Sequence, residues 1–162
     1  MIDAVRAVRP GVVLREVGGP ADELVLHGGG EVFRVPRTEE AAARIALCTR
    51  VLSRLRPLVP VAVPTPRLVG VLDDGTPFSA EPRLPGAPAG ALLPVARGQL
   101  AGVLAALRAV PLREAQEWGV PGDGVLRHGA LGTGVVLVDA RRGVLTGVVG
   151  WAPTLGTPES AP

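Results

Sequence analysis

Residues 128–151 read HGALGTGVVLVDARRGVLTGVVGW, and they carry the most informative pattern in the chain. It opens on a His-Gly turn and continues with two runs rich in Val and Leu, at 135–139 and 144–149. The RRG turn at 141–143 lies between the runs, which predicts a β-hairpin. Asp139 immediately precedes that turn, where turn chemistry accounts for it without a catalytic role.

The stretch resembles the catalytic segment of the aminoglycoside phosphotransferase family, which shares the protein-kinase fold. That family's pattern is roughly HGDLxxxNxLxD, then a short hairpin, then an aspartate before tryptophan. The resemblance places Ala130 at the catalytic base, Val135 at a metal-binding Asn, and Gly150 at the Asp that would hold magnesium. Mg²⁺ needs oxygen ligands, and a general base must accept a proton. The resemblance therefore implies a kinase-like fold that lacks the catalytic base and the metal ligands.

Further strings resemble the same family in the same order, over residues 10–158 of the chain. VFRVPR is similar to the third strand, whose basic residue meets nucleotide phosphates, and this maps onto Arg34. PFSAEPRLPG is similar to the hinge, where the backbone at Glu81 would contact an adenine. The family's next helix carries a Glu that pairs with the basic residue, and Cys48 stands at that position. The helices that build much of the family's acceptor pocket are missing here.

The local patterns predict an α+β fold of the same kind. Five stretches have the composition and turn boundaries of strands: 12–17, 22–28, 31–37, 67–72 and 77–83. Helices are predicted after the N-cap Thr38 and over 95–110 and 112–118. We therefore expect a kinase-like small lobe over 1–83, with an antiparallel five-stranded sheet and one helix. A hinge and a truncated large lobe over 84–162, with one main helix and a β-hairpin, would complete one compact unit. The tail after Trp151 lacks periodicity and is expected to fray.

Composition excludes several classes of protein. The 162 residues have a mean hydropathy of +0.34, but no apolar run approaches the ~18 residues of a membrane-spanning helix. The N-terminus has no apolar signal core, which predicts a cytoplasmic protein. The single cysteine, Cys48, allows no intrachain disulfide and is expected to be a buried helix residue. A net charge of +2 and few aromatic residues argue against nucleic-acid binding.

Three residues are candidates for a site. The unperturbed pKa of a histidine lies near neutrality, which would suit His128 to a general-base role. The favoured alternative is a structural histidine that shapes the loop. Arg34 either binds phosphate, or it forms an ion pair with Glu31 or lies at a solvated edge, and the phosphate reading and the structural one are evenly balanced. The Glu81 side chain is expected to be an exposed surface charge. No metal ligand is assigned and no cofactor is required, while metal-free ATP binding stays open.

Three functions follow from these observations. The favoured one is a non-phosphorylating binding or scaffold protein, like a pseudokinase, in a biosynthetic or regulatory assembly. The alternatives are a repurposed cyclase or isomerase that acts on an apolar metabolite with help from His128, and a residual ATP-dependent phosphotransferase. Loss of the acceptor helices is expected to expose an apolar face along 100–107, which predicts a homodimer or protein partner. Whether the protein is an enzyme stays open.

Overall fold

A computed structural model describes all 162 residues of the chain. The chain forms two compact units. The first comprises Met1–Thr49 and Thr65–Arg83, and the second comprises Arg50–Pro64 and Leu84–Pro162. Residues 50–64 thus group with the second unit, although the sequence patterns place them before the hinge.

The first unit is a five-stranded sheet with helices. Its elements are α1 (Ile2–Val8), β1 (Arg15–Val17), β2 (Glu23–Gly28), β3 (Glu31–Pro36), α2 (Glu39–Leu55), β4 (Arg67–Val71) and β5 (Pro77–Pro82). Helix α2 passes into the second unit at Arg50. The strand order is β1-β2-β3-β5-β4, and every neighbouring pair is antiparallel. The predicted five-stranded antiparallel sheet is confirmed.

Local sequence explains how this unit is built. The Thr38 hydroxyl accepts a hydrogen bond from the Ala41 N–H at 3.2 Å, so the predicted N-cap of α2 is confirmed. Alternate strand residues pack into one buried cluster, formed by Val5, Leu24, Leu26, Phe33, Val35, Phe78 and Ala80. Val5 belongs to helix α1, which the sequence patterns miss. Only seven residues long, α1 buries one of them, so its periodicity is too short to recognise.

The second unit is built from short strands and two further helices. Its elements are β6 (Ala87–Pro88), α3 (Pro94–Ala109), α4 (Leu112–Glu117), β7 (Val125–Arg127), a 3₁₀ turn (Thr133–Val135), β8 (Val136–Asp139), β9 (Val144–Val148) and β10 (Thr154–Gly156). Strands β6, β8 and β9 form one antiparallel sheet, and β7 pairs with β10. The predicted hairpin and both helices are confirmed.

Two expectations about this unit are wrong. The tail does not fray at Trp151, because β10 pairs with β7 and buries Leu155. The apolar face of α3 is not exposed either, because β7 and β9 pack against it. Its Leu100, Val103, Leu104 and Leu107 are all 5% exposed or less. The homodimer or protein partner stays a prediction, but the α3 face does not supply the surface for it.

The exposed apolar side chains lie on several separate elements. The most exposed are Val13, Val71 and Val95. Scattered apolar residues of this kind are normal on protein surfaces. None of the helices combines the length and the apolar composition that crossing a bilayer requires.

Candidate functional site

His128 lies at the start of the loop that follows β7, and its side chain is buried, with only 1% of the residue exposed. Its Nε2 is 2.9 Å from the carbonyl oxygen of Val149, and its Nδ1 accepts a hydrogen bond from the Ala130 N–H at 3.3 Å. A carbonyl only accepts, so the ring carries its proton on Nε2. Burial lowers the pKa of His128, and the Val149 hydrogen bond and the Glu159 charge oppose that effect. The ring is therefore neutral at physiological pH.

Trp151 completes the surroundings of this histidine. The two ring centroids are 4.4 Å apart at an interplanar angle of 45°. The indole N–H of Trp151 donates to the carbonyl oxygen of Val148 at 2.8 Å. Both nitrogens of His128 are thus used by backbone groups, which leaves the imidazole no group for a substrate. The general-base role of His128 stays a prediction, and this geometry favours the loop-shaping alternative.

The three positions that the resemblance singles out carry only hydrocarbon or hydrogen. Ala130 is exposed, while Val135 and Gly150 lie beside each other. Gly150 has a φ of +70°, and a Cβ at this position would lie 2.7 Å from Cγ1 of Val135. The Val149 N–H also donates to the carbonyl oxygen of Val135 at 2.8 Å. An aspartate at 150 would need space that the Val135 side chain fills.

The remaining carboxylate in this segment has a structural partner. Oδ1 of Asp139 accepts hydrogen bonds from the N–H groups of Arg141 and Arg142, at 2.8 and 3.2 Å. The predicted turn role of Asp139 is confirmed. Across the chain, no group of three or more His, Cys, Asp or Glu side chains is arranged to hold a metal ion.

Glu159, which lies after β10, contacts this loop and was not predicted from the sequence. Its carboxylate accepts hydrogen bonds from the backbone N–H groups of His128 and Gly129, at 2.7 and 3.0 Å. Nη2 of Arg127 lies 3.8 Å from the same carboxylate. Gly129 has a φ of +87°, and a Cβ there would collide with the carbonyl oxygen of Ala152. The glycine at 129 was the only local sign of this geometry, and nothing in the tail pointed to Glu159.

Arg34 lies on β3 in the first unit and is held by two buried carboxylates. Its Nη1 donates to Oε2 of Glu23 at 3.3 Å, and its Nε is 3.4 Å from Oε1 of Glu81. The expected pair with Glu31 is wrong, because Glu31 binds Arg9, at 2.7 and 3.1 Å. The phosphate-binding role of Arg34 stays a prediction, but its guanidinium already has two partners.

Glu81 is buried rather than an exposed surface charge, with 5% of the residue accessible. Strand register explains the difference. Glu81 is opposite Val32 and Ser79 is opposite Arg34, so Glu81 and Arg34 share one face of the sheet. Burial raises the pKa of Glu81, and the positive charge of Arg34 opposes that rise. The contact of its backbone with an adenine is untested.

Helix α2 adds a second arginine to this region. Arg44 donates to Oε1 of Glu23 at 2.6 Å and to both carboxylate oxygens of Asp22 at 3.0 Å. We call this set of five side chains the charge cluster: Asp22, Glu23, Arg34, Arg44 and Glu81. With all of them ionised it carries one net negative charge.

Cys48 of α2 stands where the resemblance implies a glutamate that pairs with Arg34. Its thiol is mostly buried, which raises its pKa to about 11, with charged groups of the charge cluster acting in both directions. Cys48 was expected to be buried, and the residue is partly buried. The carboxylates that do pair with Arg34 come from β2 and β5 instead, so Arg34 has not lost its partner.

Solved structures with the same fold include several small-molecule phosphotransferases. An aminoglycoside phosphotransferase of the APH(2") type, in complex with GDP and kanamycin, superposes with a TM-score of 0.84 at 20% identity, over 97% of this chain and 74% of that one. Macrolide 2'-phosphotransferase MphH from Brachybacterium faecium gives 0.76 at 24% identity, over 97% and 73%. A thermostable mutant of APH(4)-Ia gives 0.72 at 16% identity, over 98% and 73%.

At these identities the likeness establishes the fold. The chain has the kinase-like fold of the aminoglycoside and macrolide phosphotransferases, as the sequence resemblance implied. No family model matches the sequence, and neither does any curated protein.

Proposed function

We propose that this chain is a kinase-fold protein that does not transfer phosphate and acts instead as a binding or scaffold protein. The observation that carries the proposal is the absence of any oxygen-bearing side chain at Ala130, Val135 and Gly150. Phosphoryl transfer depends on positioning and on metal ions that neutralise charge developing on the phosphates. A loop with these three side chains can neither take a proton from an acceptor hydroxyl nor coordinate magnesium.

Packing supports this proposal, because the substitutions fit one another. The Val135 side chain fills the space beside Gly150, where an added Cβ would lie 2.7 Å from its Cγ1. Restoring one family residue would thus disturb its neighbour. The loss of polar groups is part of the local structure rather than a single exchange on the surface.

The charge cluster also supports it. For Arg34 to bind a phosphate, its guanidinium would have to leave Glu23 and Glu81, whose side chains are 4% and 6% exposed. Buried carboxylates that lose their partner are strongly destabilising. The net negative charge of the cluster would also repel a polyphosphate. We infer that nucleotide is not an obligatory ligand.

The two enzymatic alternatives have less support. A cyclase or isomerase would use His128, but both of its ring nitrogens bind backbone groups. A residual phosphotransferase would use Arg34, which is held by two carboxylates. Neither alternative has a specific geometric observation in its favour.

Thermal unfolding with nucleotide tests the proposal. GDP, ADP and ATP would each be added with and without Mg²⁺, since GDP and ADP are the nucleotides bound in the structural neighbours. A ligand at a hundred times its dissociation constant raises the free energy of unfolding by about 2.7 kcal/mol. We expect no magnesium-dependent rise in Tm and no ATP turnover with kanamycin as acceptor.

A matched variant separates the effect of losing Arg34 from the effect of losing any positive charge. Arg34→Ala would be compared with Arg67→Ala, which removes an exposed arginine from the neighbouring strand β4. Magnesium-dependent turnover that Arg34→Ala abolishes and Arg67→Ala preserves would overturn the proposal in favour of a residual kinase.

A further inference from the structure

The sheet of the first unit has two edge strands, β1 and β4, and they differ in how well they are protected. Short length, charged side chains and prolines are the usual protection of a sheet edge against pairing with another chain. β1 is three residues long, includes Arg15 and Glu16, and is followed by a Gly-Gly-Pro turn. β4 is five residues long and has no proline, and its Leu68 and Val71 are 51% and 61% exposed. β4 is therefore the less protected edge.

The outer backbone of β4 has no partner within the chain. β4 pairs only with β5, and no backbone hydrogen bond joins residues 67–71 to any other segment. Helix α1 packs over one face of the strand, where a Cβ at Gly70 would lie 3.0 Å from Cγ1 of Val8. We call this the α1 face. The edge itself presents a row of N–H and C=O groups to which a further strand can bind.

A β-bulge in β4 brings Leu68 and Val71 to the same face. These residues are three positions apart, so a regular strand would direct them to opposite faces. The register shifts between Leu68 and Gly70, with Leu68 opposite Ser79 and Val71 opposite Pro77. Ser79 and Pro77 are two positions apart on β5 and share a face, so Leu68 and Val71 also share one. They form an exposed apolar pair on the face opposite α1.

The other residues of this segment belong to the α1 face. Val69 and Leu72 pack against the buried cluster that includes α1, and Arg67 and Gly70 are opposite β5 residues of that cluster. Over residues 67–72 the faces therefore run α1, opposite, α1, α1, opposite, α1. This order is the same in both directions along the chain. A strand with such an order can pair antiparallel with a copy of itself and keep every residue opposite one on its own face.

We propose that β4 is the docking edge for a second copy of this chain, which binds through its own β4 in the antiparallel direction. A twofold axis between Val69 and Gly70 places Leu68 of each copy opposite Val71 of the other. Two exposed apolar pairs then come into contact across the new ladder. The two five-stranded sheets would join into one sheet of ten strands.

Charge is the reason that the partner is a second copy. Arg67 begins β4 and Asp73 follows it, both are exposed, and neither forms a salt bridge within its own chain. In the antiparallel pair Arg67 is opposite Leu72 of the second copy and therefore next to Asp73 of that copy. The twofold axis creates this contact twice. A parallel pairing would instead bring Arg67 beside its own equivalent, and like charges across a ladder are destabilising.

A contact made by one strand from each copy is smaller than the interface of an obligate dimer, so we expect a reversible dimer. It needs neither a metal nor a nucleotide, and it does not rest on the proposed function.

Sedimentation velocity on the full chain, over about a hundredfold range of protein concentration, should show a monomer passing into a dimer. Val71→Lys places an ammonium group opposite Leu68 of the second copy and should raise the Kd of the dimer roughly tenfold or more. Val13→Lys is the matched control, because Val13 is an apolar residue that is 87% exposed and lies outside β4. It should form the dimer like wild type.

Exchange of the charges tests the antiparallel register. Arg67→Asp and Asp73→Arg each place like charges at both contacts, so each variant alone should form a weaker dimer than wild type. An equimolar mixture of the two variants should form a heterodimer with nearly wild-type affinity, because each contact again joins opposite charges.

Three results would overturn the proposal. The first is a wild-type chain that stays monomeric throughout, and the second is a dimer that Val71→Lys does not weaken, since it would use another surface. The third is a mixture of Arg67→Asp and Asp73→Arg that associates no better than either variant alone. If circular dichroism shows that Val71→Lys does not fold, the two charge variants and their mixture still decide the question.

Discussion

The charge cluster and the loop at 128–130 satisfy buried polar groups in opposite ways. In the charge cluster, five ionisable side chains from three strands, a helix and the chain before β2 form ion pairs with one another. In the loop, a neutral histidine binds two backbone groups, and one carboxylate binds two backbone N–H groups. The cluster depends on residue identity at many positions, whereas the loop depends mainly on backbone conformation.

This difference explains how the loop can keep a kinase-like backbone shape with hydrocarbon side chains at 130 and 135. Backbone donors and acceptors survive any exchange of side chains that preserves φ and ψ. Ala130 and Val135 can therefore replace polar residues without unfolding the loop, as long as His128 and Gly129 remain. In the charge cluster, a single exchange would leave a charge without its partner. We expect the largest effects of mutation there.

The strongest test of the comparison is Glu23→Ala. Glu23 binds both Arg34 and Arg44 with a side chain that is 4% exposed. Loss of one partner in a buried ion pair costs several kcal/mol, and the partial exposure of the two arginines reduces this, so we expect a loss of about 3 kcal/mol in urea unfolding. Glu16→Ala removes an exposed partner of Arg37 and should change stability by less than about 1 kcal/mol. Equal losses in the two variants would show that the cluster does not stabilise the unit.

His128→Gln tests the loop and has a second readout in pH. Loss of the buried ring and its contact with Trp151 should cost about 2 kcal/mol at pH 7.5. Burial lowers the pKa of His128, so between its folded pKa and about 6.5 the unfolded chain binds more protons. Wild-type stability is therefore fully present above pH 6.5 and falls as pH drops through that window. The slope reaches at most about 1.4 kcal/mol per pH unit.

His128→Gln should lose this part of the pH dependence. His27 also has a lowered pKa, caused first by burial and then by nearby arginines, but it is more exposed. His27→Gln is therefore the matched control and should retain most of the slope. Glu81 contributes equally to the pH dependence of stability in wild type and in both variants, so its contribution cancels when each variant is compared with wild type. Parallel pH curves for wild type and His128→Gln would mean that the pKa of His128 is the same in the folded and unfolded states.

Gly150→Ala measures how far backbone conformation governs the loop. A φ of +70° and the short distance to Val135 predict a loss of about 1–2 kcal/mol. In a Val135→Ala background the clash is relieved and only the backbone strain remains, so the added loss should be smaller. Gly134→Ala is the control, since Gly134 has no positive φ and a Cβ there would have no neighbour within 4 Å. Equal losses at 134 and 150 in thermal unfolding would contradict this account.

Substitution of Cys48 should give the smallest change in stability among these variants, and the alkylation rate of its thiol gives a second measurement. Cys48→Ala replaces a partly buried thiol and should cost less than about 1 kcal/mol. A pKa of about 11 lowers the thiolate fraction at pH 8 by about 100-fold relative to an ordinary thiol. Alkylation should be slower by a similar factor in the folded protein than in urea. Equal rates would show that the thiol is accessible and ionised.

The sequence predicted those parts of the fold that are set by local patterns. Alternating strands, the Thr38 cap and the long helices α2 and α3 follow from residues close together in the chain. Strand β6 was missed because two residues, one of them Pro88, carry no periodicity. Strand β10 was missed because only its pairing with β7 distinguishes it from a polar tail.

The site was harder to predict, because its contacts depend on register and on distant pairings. Arg34 was recognised as important, but its partners Glu23 and Glu81 become neighbours only when β2, β3 and β5 align. Glu159 reaches His128 across 31 positions of the chain. No rule based on spacing would link them. The replacements at 130, 135 and 150 were visible only because a known motif gave each position a meaning.

Helix α1 has a consequence for how the protein is made. Val5 is fully buried in the cluster that contains Phe78, so this helix reaches its complete packing surface only after β5 has been synthesised. At 5–20 residues per second this interval lasts roughly 4–15 seconds. During that time the seven-residue segment lacks the packing that holds it as a helix, because a helix this short is marginal in water.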